Sequence, residues 1–154
     1  MPEVHCKPVQ VDEGLIDIHR HVNNQEYLRW MQDIAIEHST LQGWPMERYL
    51  DAGASWYVKS HFIDYVRPAM LGDTLLACTW VAGMGERSSP RRTLFLRESD
   101  TNSDHQIVAR AETQWIFVSL RNGRPIAIPE GVRNAFSIVE SEDAVLQRVR
   151  REAA

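Results

Sequence analysis

Near the start of the chain, the segment Asp17-Ile18-His19-Arg20-His21-Val22-Asn23-Asn24-Gln25-Glu26 gathers titratable side chains just ahead of a run with helical spacing. A helix begins with N–H groups that have no intrahelical partner, and it carries the positive end of its dipole there. The amides near Asn23, Asn24 and Gln25 therefore form an anion site. An ester or thioester carbonyl placed against them would have its developing negative oxygen stabilised, as in an oxyanion hole. Asp17 is close enough in sequence to act beside that site, as general base on water or as nucleophile. A carboxylate and an oxyanion hole are the minimal equipment for acyl transfer to water.

Each of these residues also has a plainer reading. Asp17 would serve as a solvated or capping aspartate in a loop, and His21 as a partner for backbone groups beside a cap. His19 reads as structural, Asn23 as a cap only, and Tyr27, Trp30 and Met31 as core. Asp17, His19 and His21 alternate, so an extended segment would put them on one face where they could ligate a metal. No further ligand cluster accompanies them, and no metal is expected. His61, Asp64, Cys78 and His105 are scattered and read as structural or surface groups. Arg91 and Arg92 follow a loop rich in glycine and serine, Gly83 to Pro90, and read as an exposed hairpin tip or as a pair of cations for an anionic group.

The elements that must hold these residues follow from periodicity. Val4 to Ile18 alternates loosely and predicts a strand with a bend at Gly14. Asn23 is a good N-cap, and Glu26 completes a variant of the capping box. Tyr27, Trp30, Met31, Ile34, Ala35, His38 and Leu41 then recur every three or four residues, predicting one helix over residues 24–42, stopped by Gly43 and Pro45. Trp56 to Val66, Thr74 to Ala82, Thr93 to Glu98 and Gln106 to Leu120 predict antiparallel strands. In the last, Ala109 and Ala111 sit where a helix could approach closely. Asn122-Gly123 marks a hairpin, and a short helix is predicted from Pro129 to Phe136. Residues 1–138 make one domain, and residues 139–154 a helical or disordered tail.

Composition narrows the function classes. The 154 residues are 44% hydrophobic and 25% charged, ordinary values for one folded domain. Seventeen basic against twenty-one acidic residues argue against binding nucleic acid. No stretch approaches the roughly 20 apolar residues of a membrane span, and the first residues lack the pattern of a secretory signal. Two cysteines, Cys6 and Cys78, are too few to staple a fold, and a reducing compartment suits them as well as any; a small cytoplasmic protein is the starting expectation. Five strands make a sheet about 24 Å wide, while one helix covers only about 10–12 Å. The second face also carries Leu94, Leu96, Ile116 and Val118. Self-association, as a homodimer or homotetramer, would cover what remains.

Three ordered segments resemble one family. Asp17-x-x-x-His21-Val22-Asn23-Asn24-x-x-Tyr27-Leu28-x-Trp30 is similar to the active-site signature of hotdog-fold acyl-CoA thioesterases of the 4-hydroxybenzoyl-CoA thioesterase-like group. Ile63 to Ala69 with Gly72-Asp73, and Gly123 to Pro129, continue the resemblance, which spans roughly residues 5–136. It implies an α+β hotdog fold, a curved antiparallel sheet of about five strands wrapped around one long helix. It implies hydrolysis of an acyl-CoA thioester without a cofactor. Asp17 maps to the catalytic carboxylate, Asn24 to the backbone N–H that polarises the thioester carbonyl, and His21 to the family histidine. A related plant-type pattern has asparagine where this chain has His19. Arg91 and Arg92 would meet the phosphates of coenzyme A, and Arg124 less so. The acyl group would lie along the sheet–helix interface near Trp30, Trp56 or Tyr57. An acyl carrier protein is the alternative carrier, with Arg148, Arg150 and Arg151 as its docking charges. The rival activities are an enoyl-thioester hydratase on the same fold and a non-catalytic acyl-thioester-binding module.

Overall fold

The structure, a computed structural model, describes residues 3–98 and 105–153. Its strands are β1 (Val4–Gln10), β2 (Ala54–Tyr65), β3 (Thr74–Val81), β4 (Ser88–Glu98) and β5 (His105–Ser119). Its helices are α1 (Asn24–Leu41), α2 (Met46–Ala52), α3 (Glu130–Arg133) and α4 (Glu142–Ala153). The strands form one antiparallel sheet in the order β1-β3-β4-β5-β2, with register shifts at Val58/Ser60 and Phe95/Leu96. The chain is α+β, a curved sheet around one long helix.

Asn23 starts α1 as its residue type predicts: its Oδ1 accepts the Gln25 N–H at 3.1 Å. The capping box with Glu26 does not form, because the Asn23 N–H donates to the Leu15 carbonyl at 2.8 Å. Tyr27, Met31, Ile34, Ala35 and His38 are buried, whereas Leu41 is 58% exposed and leaves the stripe in the last turn. Tyr27, Met31 and Ile34 share a buried cluster with Leu75, Ala77, Phe95, Ala109 and Ala111 on the inner sheet face. The two alanines belong to that cluster, but the helix runs closest over β3 and β1 rather than over β5.

Three expectations change. The first strand ends at Gln10 rather than Ile18, because Asp12 caps a 3-10 turn over Glu13–Leu15 by accepting the Gly14 N–H. β4 begins at Ser88, so Arg91 and Arg92 lie inside a strand and not at a loop tip; Pro90 falls just before the β3 register begins at Arg91. α2 was not anticipated. It is seven residues long with one buried side chain, Tyr49, too short for periodicity to reveal.

The outer face of the sheet is also covered differently. α4 lays Val145 and Val149 on Cys78, Trp80, Leu94 and Leu96, anchored by Arg110–Glu142 and Arg148–Glu3 ion pairs. The chain's own last helix therefore covers part of the surface assigned to self-association. Cys6 and Cys78 face each other across the β1–β3 ladder and are joined as a disulfide. Among the described residues no helix is long and apolar enough to cross a membrane.

Candidate functional site

Two places concentrate chemistry. The first is the loop that feeds α1. An Ile16–Val22 bridge closes it, with Asp17 N–H donating to the His21 carbonyl at 2.8 Å and Arg20 N–H to the Asp17 carbonyl at 3.0 Å. Arg20 takes the left-handed conformation, φ +65°, that so tight a reversal demands. The Asp17 Oδ1 accepts the N–H groups of His19 (2.9 Å) and His21 (3.2 Å). Its other oxygen makes no hydrogen bond among the described residues, and the side chain faces solvent.

The loop rests on the second motif segment. His21 bridges to Met70, and Val22 N–H donates to the Ala69 carbonyl at 2.8 Å. Asp73 Oδ2 accepts the Met70 N–H at 2.9 Å and the Arg97 guanidinium at 3.0 Å, which fixes that turn. The residues around Pro68 and Asp73 thus act as the platform for the Asp17 loop.

At the helix start the amides differ in availability. Gln25 N–H goes to the Asn23 side chain and Glu26 N–H to the Asn23 carbonyl at 2.9 Å. Only the Asn24 N–H, of these three, meets no acceptor among the described residues. Glu26, which sequence reasoning took only as a cap, has a buried Oε2 without a hydrogen bond; Arg29 Nε stands 3.7 Å away. His19 and His21 reach the Asp17 carboxylate through their amides, not their rings, which lie 6.1 Å apart. Among the described residues no group of three or more His, Cys, Asp or Glu is placed to hold a metal ion.

The second place is a cavity of about 510 Å³ between the later half of α1, α2 and the inner face of β2, β4 and β5. Exposed Gln32, Ile36, Met46 and Tyr57 frame its mouth, and Trp56, Trp115 and Phe136 line it. Trp56 and Tyr57 were expected near an acyl group; Trp30 instead packs with Tyr27 and Phe95. Tyr49 receives the Trp56 indole N–H at 3.1 Å and pairs with the Ser39 hydroxyl at 2.9 Å, and its burial pushes the phenol pKa up.

Arg91 lies in the wall of that cavity, 7% exposed. Its Nη1 donates to His38 Nδ1 at 2.9 Å and to Thr79 Oγ1 at 3.2 Å. A guanidinium has no lone pair to offer, so His38 Nδ1 must be the acceptor. Burial lowers the Arg91 pKa to about 10, which leaves it a cation at neutral pH. Arg92, one residue on, points to the opposite face and pairs with Glu112 at 3.1 Å. The two cations therefore do not stand side by side at an exposed hairpin tip: neighbours in a strand face opposite ways, and Arg91 is inside. His61 bonds Thr113 at 2.9 Å, and Arg124 is exposed in its turn.

Comparison with known proteins places this geometry in context. The family described as "Thioesterase-like superfamily" matches residues 11–136. No curated protein matches the sequence. Among solved structures, a mutant 4-hydroxybenzoyl-CoA thioesterase complexed with 4-hydroxybenzoyl-CoA is 20% identical, with TM-score 0.81 over 88% of this chain and 99% of that one. A 1,4-dihydroxy-2-naphthoyl-CoA thioesterase from Synechocystis is 16% identical, TM-score 0.73, over 86% and 94%. YbaW, a probable thioesterase from Escherichia coli, is 21% identical, TM-score 0.72, over 84% and 94%. At these identities the likeness is one of fold.

Proposed function

On the premise that this chain belongs to the thioesterase-like superfamily, we propose that it hydrolyses an acyl-CoA thioester, with Asp17 as general base or nucleophile. The observation that carries this reading is the pairing of Asp17, one oxygen held by two amides and the other uncommitted, with the unpartnered Asn24 N–H at the start of α1. The thioester carbonyl oxygen accepts from Asn24 N–H and from the positive end of the helix. As general base, Asp17 takes a proton from water while the water oxygen bonds to the acyl carbon; the C–S bond then breaks and the thiolate of coenzyme A leaves. As nucleophile, Asp17 bonds to the acyl carbon, the C–S bond breaks with release of the coenzyme A thiolate, and water then cleaves the resulting anhydride to the free acid and the restored Asp17 carboxylate. His21 contributes its amide to holding Asp17. No bound cofactor takes part in either route.

We take coenzyme A as the carrier; of the cations considered for docking an acyl carrier protein, Arg148 is paired with Glu3. The working unit is a homodimer. β2 is an edge strand that exposes Tyr57, Phe62 and Tyr65, with Phe62 67% exposed, and Ile18 at the tip of the Asp17 loop is 94% exposed. An uncovered edge with aromatic side chains favours pairing with a second copy.

A panel of acyl-CoAs incubated with the protein and a thiol-reactive chromophore tests the activity. Release of one thiol per free acid formed is the expected result. If no member of the panel releases thiol, or crotonyl-CoA loses its enoyl absorbance without thiol, hydrolysis is excluded. Light scattering in solution reads the dimer.

A further inference from the structure

Arg91 presents an unusual balance of charge. The guanidinium is buried, and the titratable group acting on it is the Tyr49 phenol, with no carboxylate paired to it among the described residues. A buried ion is costly unless it is paired and hydrogen-bonded. Here Nη1 is satisfied by His38 and Thr79, while Nε and Nη2 donate to nothing among the described residues. Arg91 also borders the 510 Å³ cavity, a size typical of small-molecule sites, whose other walls mix aromatic side chains with aliphatic and hydroxyl ones. The indole N–H of Trp115, another lining residue, is buried without an acceptor. Arg91 holds this place by register: Arg91 pairs with Thr113 and Ser89 with Trp115, so the cation and the orphan indole stand on adjacent strands of one face.

We propose that this cavity is a binding site for an apolar carboxylic acid, one per chain. The carboxylate accepts from the free edge of the Arg91 guanidinium, and the hydrocarbon or aromatic body lies among Trp56, Trp115 and Phe136 toward the mouth. A planar carboxylate matches the guanidinium fork. It also supplies the counter-charge that Arg91 lacks. The cavity takes in Trp56 and Tyr57, where an acyl group was expected, but the carboxylate is held at Arg91 and the cavity begins near Gln32, about 12 Å along α1 from Asn24 at 1.5 Å per residue, so binding of the acid is separable from hydrolysis at Asp17. A protein inactive on every thioester would still bind the acid.

The experiment titrates the intact protein with octanoate and with 2-naphthoate, by calorimetry and tryptophan fluorescence, beside the neutral octanamide and 2-naphthamide. Each carboxylate should bind once per chain and at least about tenfold more tightly than its amide, a preference expected of a charge-assisted pair. Arg91→Met should erase the preference, and Arg92→Met, on the opposite face, should keep it. Equal binding of acid and amide by the wild-type protein, no binding of either acid at millimolar concentration, or a preference that survives in folded Arg91→Met would overturn the proposal. The wild-type comparison decides even where the Arg91 variant does not fold.

Discussion

Asp17 stands in solvent and accepts its hydrogen bonds from amides two and four positions along the chain, whereas Arg91 lies inside the molecule and donates its own to residues 53 and 12 positions away. The first region is a local turn on a platform; the second is assembled by β3, β4 and α1 together. Local hydrogen bonds leave a signature in adjacent residues. A constellation drawn from distant strands leaves only the parity of each strand.

That contrast can be broken or sharpened. The largest effect is expected of Asp17→Asn. Asparagine keeps the acceptor for His19 and His21 but cannot take a proton, so kcat for thiol release should fall by about a hundredfold or more with the melting temperature unchanged. A variant as fast as wild type would reduce the loop to a structural turn. Asn23→Ala removes the side-chain cap of α1 and should cost about 1 kcal/mol. In a chain of this size that lowers Tm by about 2–4 °C, readable by calorimetry. Arg91→Met should change Tm by no more than about 2 °C. Releasing an uncompensated interior charge offsets the lost bonds to His38 and Thr79. A much larger fall would make Arg91 a structural strut, and the two regions would no longer differ in kind.

The smallest effect lies between them on β2. Burial lowers the pKa of His61 below its usual value near 6.5. The unfolded chain therefore takes up a proton first as pH falls, and stability declines from about 6.5 until the folded pKa is passed, then levels off. Thermal scans of wild type and His61→Gln should diverge below pH 6.5 and coincide above pH 7. Parallel curves throughout would remove His61 from the balance.

Most of the architecture was readable from side-chain spacing. Asn23, the buried stripe of α1 and Gly43 mark one helix, and alternation marks four of the strands. What was hidden depended on pairing across distance. β1 was overextended because Asp12 folds the chain back with its own side chain. Arg91 looked exposed because Ser88 to Pro90 has loop composition, yet the β5 register draws it into the sheet. Cys6 and Cys78 lie 72 residues apart, and only the β1–β3 ladder brings them together. At the Asp17 loop the participants were legible, but not that the histidines serve through their amides.

The sulfur bridge between those cysteines reaches further than the two strands it joins. Closing a loop of that length removes about 4 kcal/mol of freedom from the denatured chain on loop-entropy grounds. β1 also carries His5, whose ring stacks on His38, the acceptor of Arg91. A reductant that opens the bridge leaves this outer strand held by its ladder, by the bonds of His5 and Lys7 to Glu37 of α1 and by buried Val9, beside the histidine pair nearest the buried cation. Resistance to heat is thereby tied to the thiol chemistry of the surroundings.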